Sequence, residues 1–250
     1  MQIKEHPAVR RIALQMLTGL AATLSVSTVQ AATANVQMDW SSFQINVIDT
    51  NPGDGIDASL QWIGQNSQVS MVVDGIGWLP IDTFAFDWND SGWDQYGNGT
   101  TLELTGIYSV DMLYAEATGD LSTGGVVRSE RYGAFTVTGD ARVEVSIDAY
   151  VYAAMSPAEL ASGGWAQADA NLFFGDSTGS SLSPVAYLAS DPSLGSPLSA
   201  TLMTSIDLTA GSQAYLYMQP GAILTAVPEP GSVAMMLAGL GLLAARRRRT

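Results

Sequence analysis

The chain has 250 residues and carries 24 acidic but only 10 basic side chains, which gives a net charge of −14 at neutral pH. Cysteine is absent, and the single histidine is His6, close to the N-terminus. Disulfides and cysteine nucleophiles are therefore excluded, and residues 35–226 cannot form a Ser-His-Asp triad or a histidine-ligated zinc or copper site. Carboxylate catalysis and oxygen-ligated calcium remain compatible with this composition.

The central part of the chain is more acidic than the whole. Residues 35–226 contain 22 acidic side chains against three basic ones, Arg128, Arg131 and Arg142. Such a surface lacks the basic footprint that DNA, RNA and anionic lipid headgroups require. We therefore expect no nucleic-acid partner.

The first predicted element is a signal peptide over residues 1–34. Lys4, Arg10 and Arg11 form its basic start, and residues 12–26 form its apolar middle. Ala31 and Ala34 each end a run of small residues with the spacing that signal peptidase reads, so cleavage is predicted after one of them. An uncleaved anchor is the alternative, but the apolar stretch is short for spanning a membrane.

Alternating apolar and polar residues predict β-strands through most of residues 35–226. The clearest alternation runs over residues 141–153. A shift of phase at Ser41 and Ser42 predicts a bulge or a tight corner in the first strand. Further strands are predicted at 58–63, 68–73, 84–88, 101–114, 134–138, 170–174, 198–208 and 213–218.

These strands predict an all-β fold, an antiparallel β-sandwich with a jelly roll as one form of it. One short helix is predicted where Ser156, Pro157 and Glu159 supply an N-cap, a proline at the first helical position and a capping-box glutamate. Residues 177–199, rich in Ser, Pro and Gly, are expected to form a long surface connection.

One segment resembles the start of a calcium-binding loop. Asp87, Asn89 and Ser91 place oxygen atoms at alternate positions before a glycine, and Asp94 could add another ligand. The bidentate glutamate that closes an EF-hand loop is missing, so a polar hairpin turn is the alternative. Residues 49–57 form a second, weaker calcium candidate.

The same segment contains candidate sugar-binding aromatic residues. Trp88, Trp93 and Tyr96 lie among turn-forming residues, where flat rings could stack on sugar rings. The alternative is that these rings fill the core of the sandwich. Arg128 and Arg131, on either side of Glu130, are expected to form surface ion pairs. No motif selects a carboxylate pair for glycoside hydrolysis.

The C-terminal residues 227–250 carry the most specific pattern in the chain. Pro228, Glu229 and Pro230 precede an apolar stretch over residues 231–245. Four consecutive cations follow: Arg246, Arg247, Arg248 and Arg249. The pattern predicts a transmembrane helix with its cations on the cytoplasmic side. As a helix the stretch would measure about 22 Å against a bilayer core of roughly 30 Å, which favours a removable segment over a permanent anchor.

This order of residues resembles the PEP-CTERM sorting signal of Gram-negative bacteria. The resemblance implies recognition and removal of the tail by an exosortase, and it implies association with extracellular polysaccharide or biofilm. It covers only the C-terminal segment and implies nothing about the activity of residues 35–226.

We therefore expect a protein exported across the inner membrane, anchored by its C-terminal helix until processing, and then located at the cell surface or outside the cell. The expected role is a non-enzymatic structural or adhesive one. A carbohydrate-binding module is the first alternative, and a carboxylate-based polysaccharide-cleaving enzyme is the second. Expected partners are signal peptidase, exosortase, the membrane and exopolysaccharide, and calcium is the only candidate cofactor.

Overall fold

The computed structural model describes residues 31–79, 83–97, 101–190, 192 and 195–226. Most of the predicted signal peptide lies outside these residues, as do the Pro-Glu-Pro motif, the apolar stretch and the arginine cluster. Within the described part of the chain, no helix is both long and apolar enough to cross a membrane.

The described residues form an antiparallel sandwich of two sheets. The six-stranded sheet consists of β1 (Ala32–Asp49), β5 (Gly92–Gly97), β6 (Leu102–Tyr108), β7 (Met112–Gly119), β9 (Ala141–Ala154) and β12 (Leu198–Leu208). The seven-stranded sheet consists of β2 (Leu60–Val73), β3 (Gly77–Trp78), β4 (Phe84–Ala85), β8 (Gly125–Val137), β10 (Trp165–Gly175), β11 (Ala186–Ala189) and β13 (Gln213–Thr225). The predicted all-β class is confirmed.

Strand order places distant parts of the sequence side by side. The six-stranded sheet runs β12-β9-β1-β7-β6-β5, and the seven-stranded sheet runs β11-β10-β13-β8-β2-β3, with β4 also paired to β2. Alternation decides which residues lie between the sheets: Val143, Val145 and Ile147 of β9 are buried, whereas Arg142 between Ala141 and Val143 points outward.

The predicted bulge in β1 is confirmed. The register of β1 against β9 shifts between Asp39 and Gln44. Asp39 accepts hydrogen bonds from the backbone N–H and hydroxyl of Ser41, and the Ser42 hydroxyl donates to the Asp39 carbonyl. These local bonds offer the backbone an alternative to ladder pairing at this point.

The predicted helix is also confirmed, as α1 (Pro157–Ala161). Ser156 accepts a bond from the Glu159 N–H, and the Glu159 carboxylate accepts one from the Ser156 N–H. The expectation for residues 177–199 needs correction, because β11 pairs with β10 inside that stretch. Its four residues are too few to produce a clear alternation among the flanking serines and prolines.

The surface ion pairs expected for Arg131 are wrong, because this residue faces the interior and is fully buried. Its guanidinium donates to the Ser67 hydroxyl and to the carbonyls of Trp88 and Ser109, and it lies 4.1 Å from the ring centroid of Trp40. Burial lowers the pKa of Arg131 to about 10, so the group stays charged at neutral pH. Arg131 thus fixes the Trp88 and Ser109 segments to β8.

Both ends of the sandwich sequence emerge at one end of the fold. The first residue of β1, Ala32, pairs with Gly119 at the end of β7, and Leu224 near the end of β13 pairs with Gly125 at the start of β8. Because the short connection from Gly119 to Gly125 joins these two places, the start of β1 lies close to the end of β13.

Candidate functional site

A polar and aromatic pocket lies on the outer face of the seven-stranded sheet. It encloses about 330 Å³. Strands β2, β8 and β13 form its floor, and the turn that follows β10 forms its wall. Nine residues line it: Gln68, Glu130, Tyr132, Ser177, Thr178, Gly179, Tyr215, Tyr217 and Gln219. We call this the tyrosine pocket.

Strand register brings the aromatic residues of the pocket together. Tyr217 of β13 pairs with Tyr132 of β8 on one side and with Phe173 of β10 on the other. The Tyr217 ring lies 6.1 Å from Tyr132, 5.0 Å from Phe173 and 6.3 Å from Tyr215, measured between centroids, with small interplanar angles. The four rings therefore form an ordered group, and three of them, those of Tyr132, Tyr215 and Tyr217, carry a hydroxyl.

A row of amide and carboxylate groups runs beside these rings. Gln68 of β2 pairs with Glu130 of β8, and the Gln68 amide donates a 2.6 Å hydrogen bond to the Glu130 carboxylate. Gln219 of β13 lies next in the row and pairs with Asn171 of β10. These side chains are only partly buried, so they retain donors and acceptors for a ligand.

The wall of the pocket is a turn organised by Asp176. Its carboxylate accepts hydrogen bonds from the N–H and hydroxyl of Thr178 and from the N–H of Ser180. These bonds lower the pKa of Asp176. The Tyr217 hydroxyl donates to the Asp176 carbonyl at 3.0 Å, which connects the wall to the floor.

Charged side chains lie one row further along the same face. Asp169 of β10 is nearly buried, and the Asn171 amide donates a 2.6 Å hydrogen bond to its carboxylate. Burial raises the pKa of Asp169, while the bond from Asn171 and the charge of Arg128 oppose that rise. Arg128 is exposed on β8, so the cation stands beside the pocket and not inside it.

The pocket is suited to an uncharged, hydroxyl-rich ligand. Burial raises the pKa values of Tyr132 and Tyr217, so both hydroxyls are protonated at neutral pH. The Tyr132 hydroxyl can donate to a ligand, whereas the Tyr217 hydroxyl already donates to the Asp176 carbonyl and can still accept. Amide groups supply both donors and acceptors, and the ring surfaces supply apolar contact. Sites for small ligands usually combine aromatic surface with a few oriented polar groups in this way.

The predicted sugar-contact residues are not brought together. Trp88 is only 5% exposed and packs edge-on against Trp40 and Trp62, so its faces are closed to a sugar. On β5, Trp93 is 65% exposed, whereas Tyr96 lies on the opposite face of the strand and packs against the core. Of the three, Trp93 alone presents a ring to solvent, and it lies on the other sheet from the tyrosine pocket.

The predicted calcium residues form local turns. The Asp87 carboxylate accepts bonds from both the backbone N–H and the amide of Asn89, and the Asp94 carboxylate accepts from the Gln95 N–H. The described residues contain no group of three acidic, histidine or cysteine side chains placed to hold a metal ion. Calcium binding by Asp87, Asn89, Ser91 and Asp94 stays a prediction.

The residues of the tyrosine pocket were missed by the sequence reasoning. Strand β13 was predicted over residues 213–218, and its outward positions include Tyr215 and Tyr217. That alternation of tyrosines with buried Leu216 and Met218 was a usable signal. Tyr132 gave none, because its strand was predicted to begin only at residue 134.

The tail matches a known family model. Residues 226–249 match the PEP-CTERM protein-sorting motif. No curated protein and no solved structure matches the chain. The match confirms the resemblance read from Pro228–Pro230 and the terminal arginines, and it implies that the chain is exported and sorted by an exosortase.

Proposed function

We propose that this is an exported surface or extracellular-matrix protein that adheres to a neutral polysaccharide through the tyrosine pocket. The sorting motif supports delivery outside the cytoplasm. The observation that carries the binding role is the grouping of three tyrosines with Gln68, Glu130 and Gln219 around one cavity on an outer sheet face. The proposal joins the adhesive role to carbohydrate recognition and involves no bond cleavage.

The charge of the protein favours a neutral ligand. Glu130 lines the pocket, and the chain as a whole is strongly anionic, so an acidic polysaccharide would be repelled unless cations bridged the two. A neutral sugar meets no such cost, and its hydroxyls match the donors and acceptors of Gln68, Gln219 and Tyr132.

Binding is tested with the full-length protein in a zwitterionic detergent, because glycoside detergents would compete for the pocket. Cellohexaose, xylohexaose, mannohexaose and laminarihexaose are the probes for calorimetric titration. For the probe that binds, Tyr132→Ala and Gln219→Ala should each weaken affinity at the pocket by roughly tenfold to thirtyfold, as expected for central contact residues.

Trp78→Ala is the matched control, because Trp78 is an aromatic residue that is 72% exposed and lies outside the pocket. It should leave affinity unchanged. Equal affinities for the wild type, Tyr132→Ala and Gln219→Ala would contradict the proposed site. Release of reducing ends from the bound probe would contradict the non-enzymatic role and favour cleavage.

A further inference from the structure

A second row of aromatic side chains crosses the outer face of the six-stranded sheet. Strand register places Tyr150 of β9 beside Gln37 of β1, and Gln37 beside Tyr114 of β7. Tyr114 in turn pairs with Ile107 of β6, and Ile107 pairs with Trp93 of β5. We call these five residues the aromatic row.

The spacing of the rings is regular. Tyr150, Tyr114 and Trp93 lie on every second strand of the sheet. Neighbouring strands are about 4.8 Å apart, so consecutive rings are separated by roughly 10 Å across the sheet. That interval is close to the length of one disaccharide unit in an extended polysaccharide chain.

The three rings differ in their exposure to solvent. Trp93 is 65% exposed and Tyr150 is 39% exposed. Tyr114 is half-buried, and Glu116 lies two residues further along the same strand. Burial and the Glu116 charge raise the pKa of Tyr114, so its hydroxyl remains a donor.

Polar side chains flank the aromatic row. In the neighbouring register line, Asn35 lies between Tyr152 and Glu116, and Thr105 lies between Glu116 and Gln95. Amides, a hydroxyl and a carboxylate therefore run parallel to the rings, an arrangement that can bond sugar hydroxyls along the direction of a chain.

We propose that the aromatic row binds one extended strand of neutral polysaccharide. Glu116 and the anionic character of the chain oppose an acidic polymer, just as Glu130 and the same net charge do at the tyrosine pocket. The aromatic row and the tyrosine pocket lie on opposite outer faces of the sandwich, so one molecule with both sites could cross-link two polysaccharide chains. Cross-linking therefore rests on the proposed function of the pocket as well as on the row. Such a bivalent protein would join strands of a matrix as well as adhere to it.

The row is tested by calorimetric titration of the full-length protein with the same four hexasaccharides. The wild type should bind two molecules per chain. Trp93→Ala or Tyr150→Ala should weaken one of the two sites by roughly tenfold to thirtyfold and leave the other intact. Trp78→Ala is the matched control, because both tryptophans are largely exposed and only Trp93 belongs to the row.

The variants separate the two proposals. If Tyr132→Ala removes the only binding event and Trp93→Ala changes nothing, the aromatic row is refuted and the pocket stands. If Trp93→Ala removes the only event, the pocket is refuted and the row stands. If Trp93→Ala instead abolishes self-association in analytical ultracentrifugation without affecting sugar binding, the row is an interface between copies and the proposal is wrong.

Cross-linking has its own readout. Wild-type protein should raise the viscosity of hydroxyethylcellulose, or of the neutral polymer that corresponds to the bound probe. Each single-site variant should lose this effect while still sedimenting with the polymer. An unchanged viscosity with Trp93→Ala would refute cross-linking through the aromatic row.

Discussion

Ser129 connects the two sheets at a gap in the backbone hydrogen bonding between β6 and β7. It lies on the inner face of β8, where its hydroxyl accepts a bond from the Ile107 N–H and donates to the Tyr114 carbonyl. Gly106 makes the approach possible, because a Cβ there would lie 2.3 Å from a methyl group of Val69. A side chain of one sheet therefore completes the hydrogen bonding of the other, directly beneath the aromatic row.

Ser129→Ala should lower the free energy of unfolding by about 1–3 kcal/mol, because a partly buried N–H and a partly buried carbonyl would both lose their partner. Chemical denaturation of the full-length protein measures the change. Ser199→Ala, a serine on an exposed strand, is the control and should have little effect. Identical denaturation midpoints for Ser129→Ala and Ser199→Ala would contradict this role.

Asp169 should make the stability of the folded protein depend on pH in an unusual direction for a carboxyl group. Burial raises its pKa above the ordinary value of 3.8, so the folded state binds the proton more tightly than the unfolded state does. Ionisation of this carboxyl therefore costs stability above the raised pKa, and the cost disappears as pH falls below 3.8.

Asp169→Asn should accordingly stabilise the protein at neutral pH, and the gain should shrink to nothing in acid. Thermal unfolding of the two proteins over a pH series measures the difference. Asp120→Asn, at an exposed loop position, is the control. A gain for Asp169→Asn that is constant with pH would show that ionisation is not its cause.

At the scale of the element, β1 discriminates between the two predicted cleavage positions. The strand begins at Ala32, and both Ala32 and Ala34 are fully buried. Cleavage after Ala34 would remove the residues that pair with Gly119, Thr118 and Ala117 of β7. Cleavage after Ala31 leaves β1 whole, so the geometry favours that position. The folded part of the chain then begins at Ala32, three residues before the predicted boundary at residue 35.

The mature protein should therefore begin at Ala32. Mass spectrometry of the protein exported by its native host measures the N-terminal residue. Ala31→Leu should block or redirect processing, because signal peptidase requires a small residue before the cut, whereas Ser41→Ala is a neutral control. A mature N-terminus at Asn35 would contradict the prediction.

The strands that the sequence predicted best are those with strong contrast between their faces. In β9 apolar and polar residues alternate over the whole strand, and in β12 only Met203 and Thr204 break the alternation. Both strands were predicted close to their observed bounds. The beginning of β8 was missed because Arg131 and Ser129 occupy inward positions, which weakens the contrast. Residues 58–63 and 68–73 were predicted as two strands, but β2 (Leu60–Val73) is one strand that covers both except for residues 58 and 59, and its register shifts between Trp62 and Gly64.

The tyrosine pocket could not be predicted for a different reason. It depends on the register of β2, β8 and β13, which are neighbours in the sheet but far apart in the sequence. Tyr132 and Tyr217 meet because the register of β8 against β13 places them directly opposite each other. Periodicity shows which residues of one strand share a face, but it does not show which strands are adjacent.

At the scale of the whole molecule, the arrangement of ends and sites suits a surface protein. The start of β1 and the end of β13 lie at the same end of the sandwich. Residue 226, where the sorting motif begins, directly follows β13. The tyrosine pocket lies near the start of β13 and beside the turn that follows β10, toward the other end of the sheet. A molecule held by its C-terminal segment would therefore present the pocket away from its attachment.

Sugar binding at both faces is tested most directly by a map of backbone amide chemical shifts in isotope-labelled full-length protein as a neutral hexasaccharide is added. We expect the shifts to concentrate at Gln68, Tyr132, Tyr217 and Gln219, with a second group along Trp93, Tyr114 and Tyr150. Saturation with the sugar that leaves the tyrosine pocket unperturbed, or shifts confined to the Asp87–Ser91 turn, would contradict this expectation.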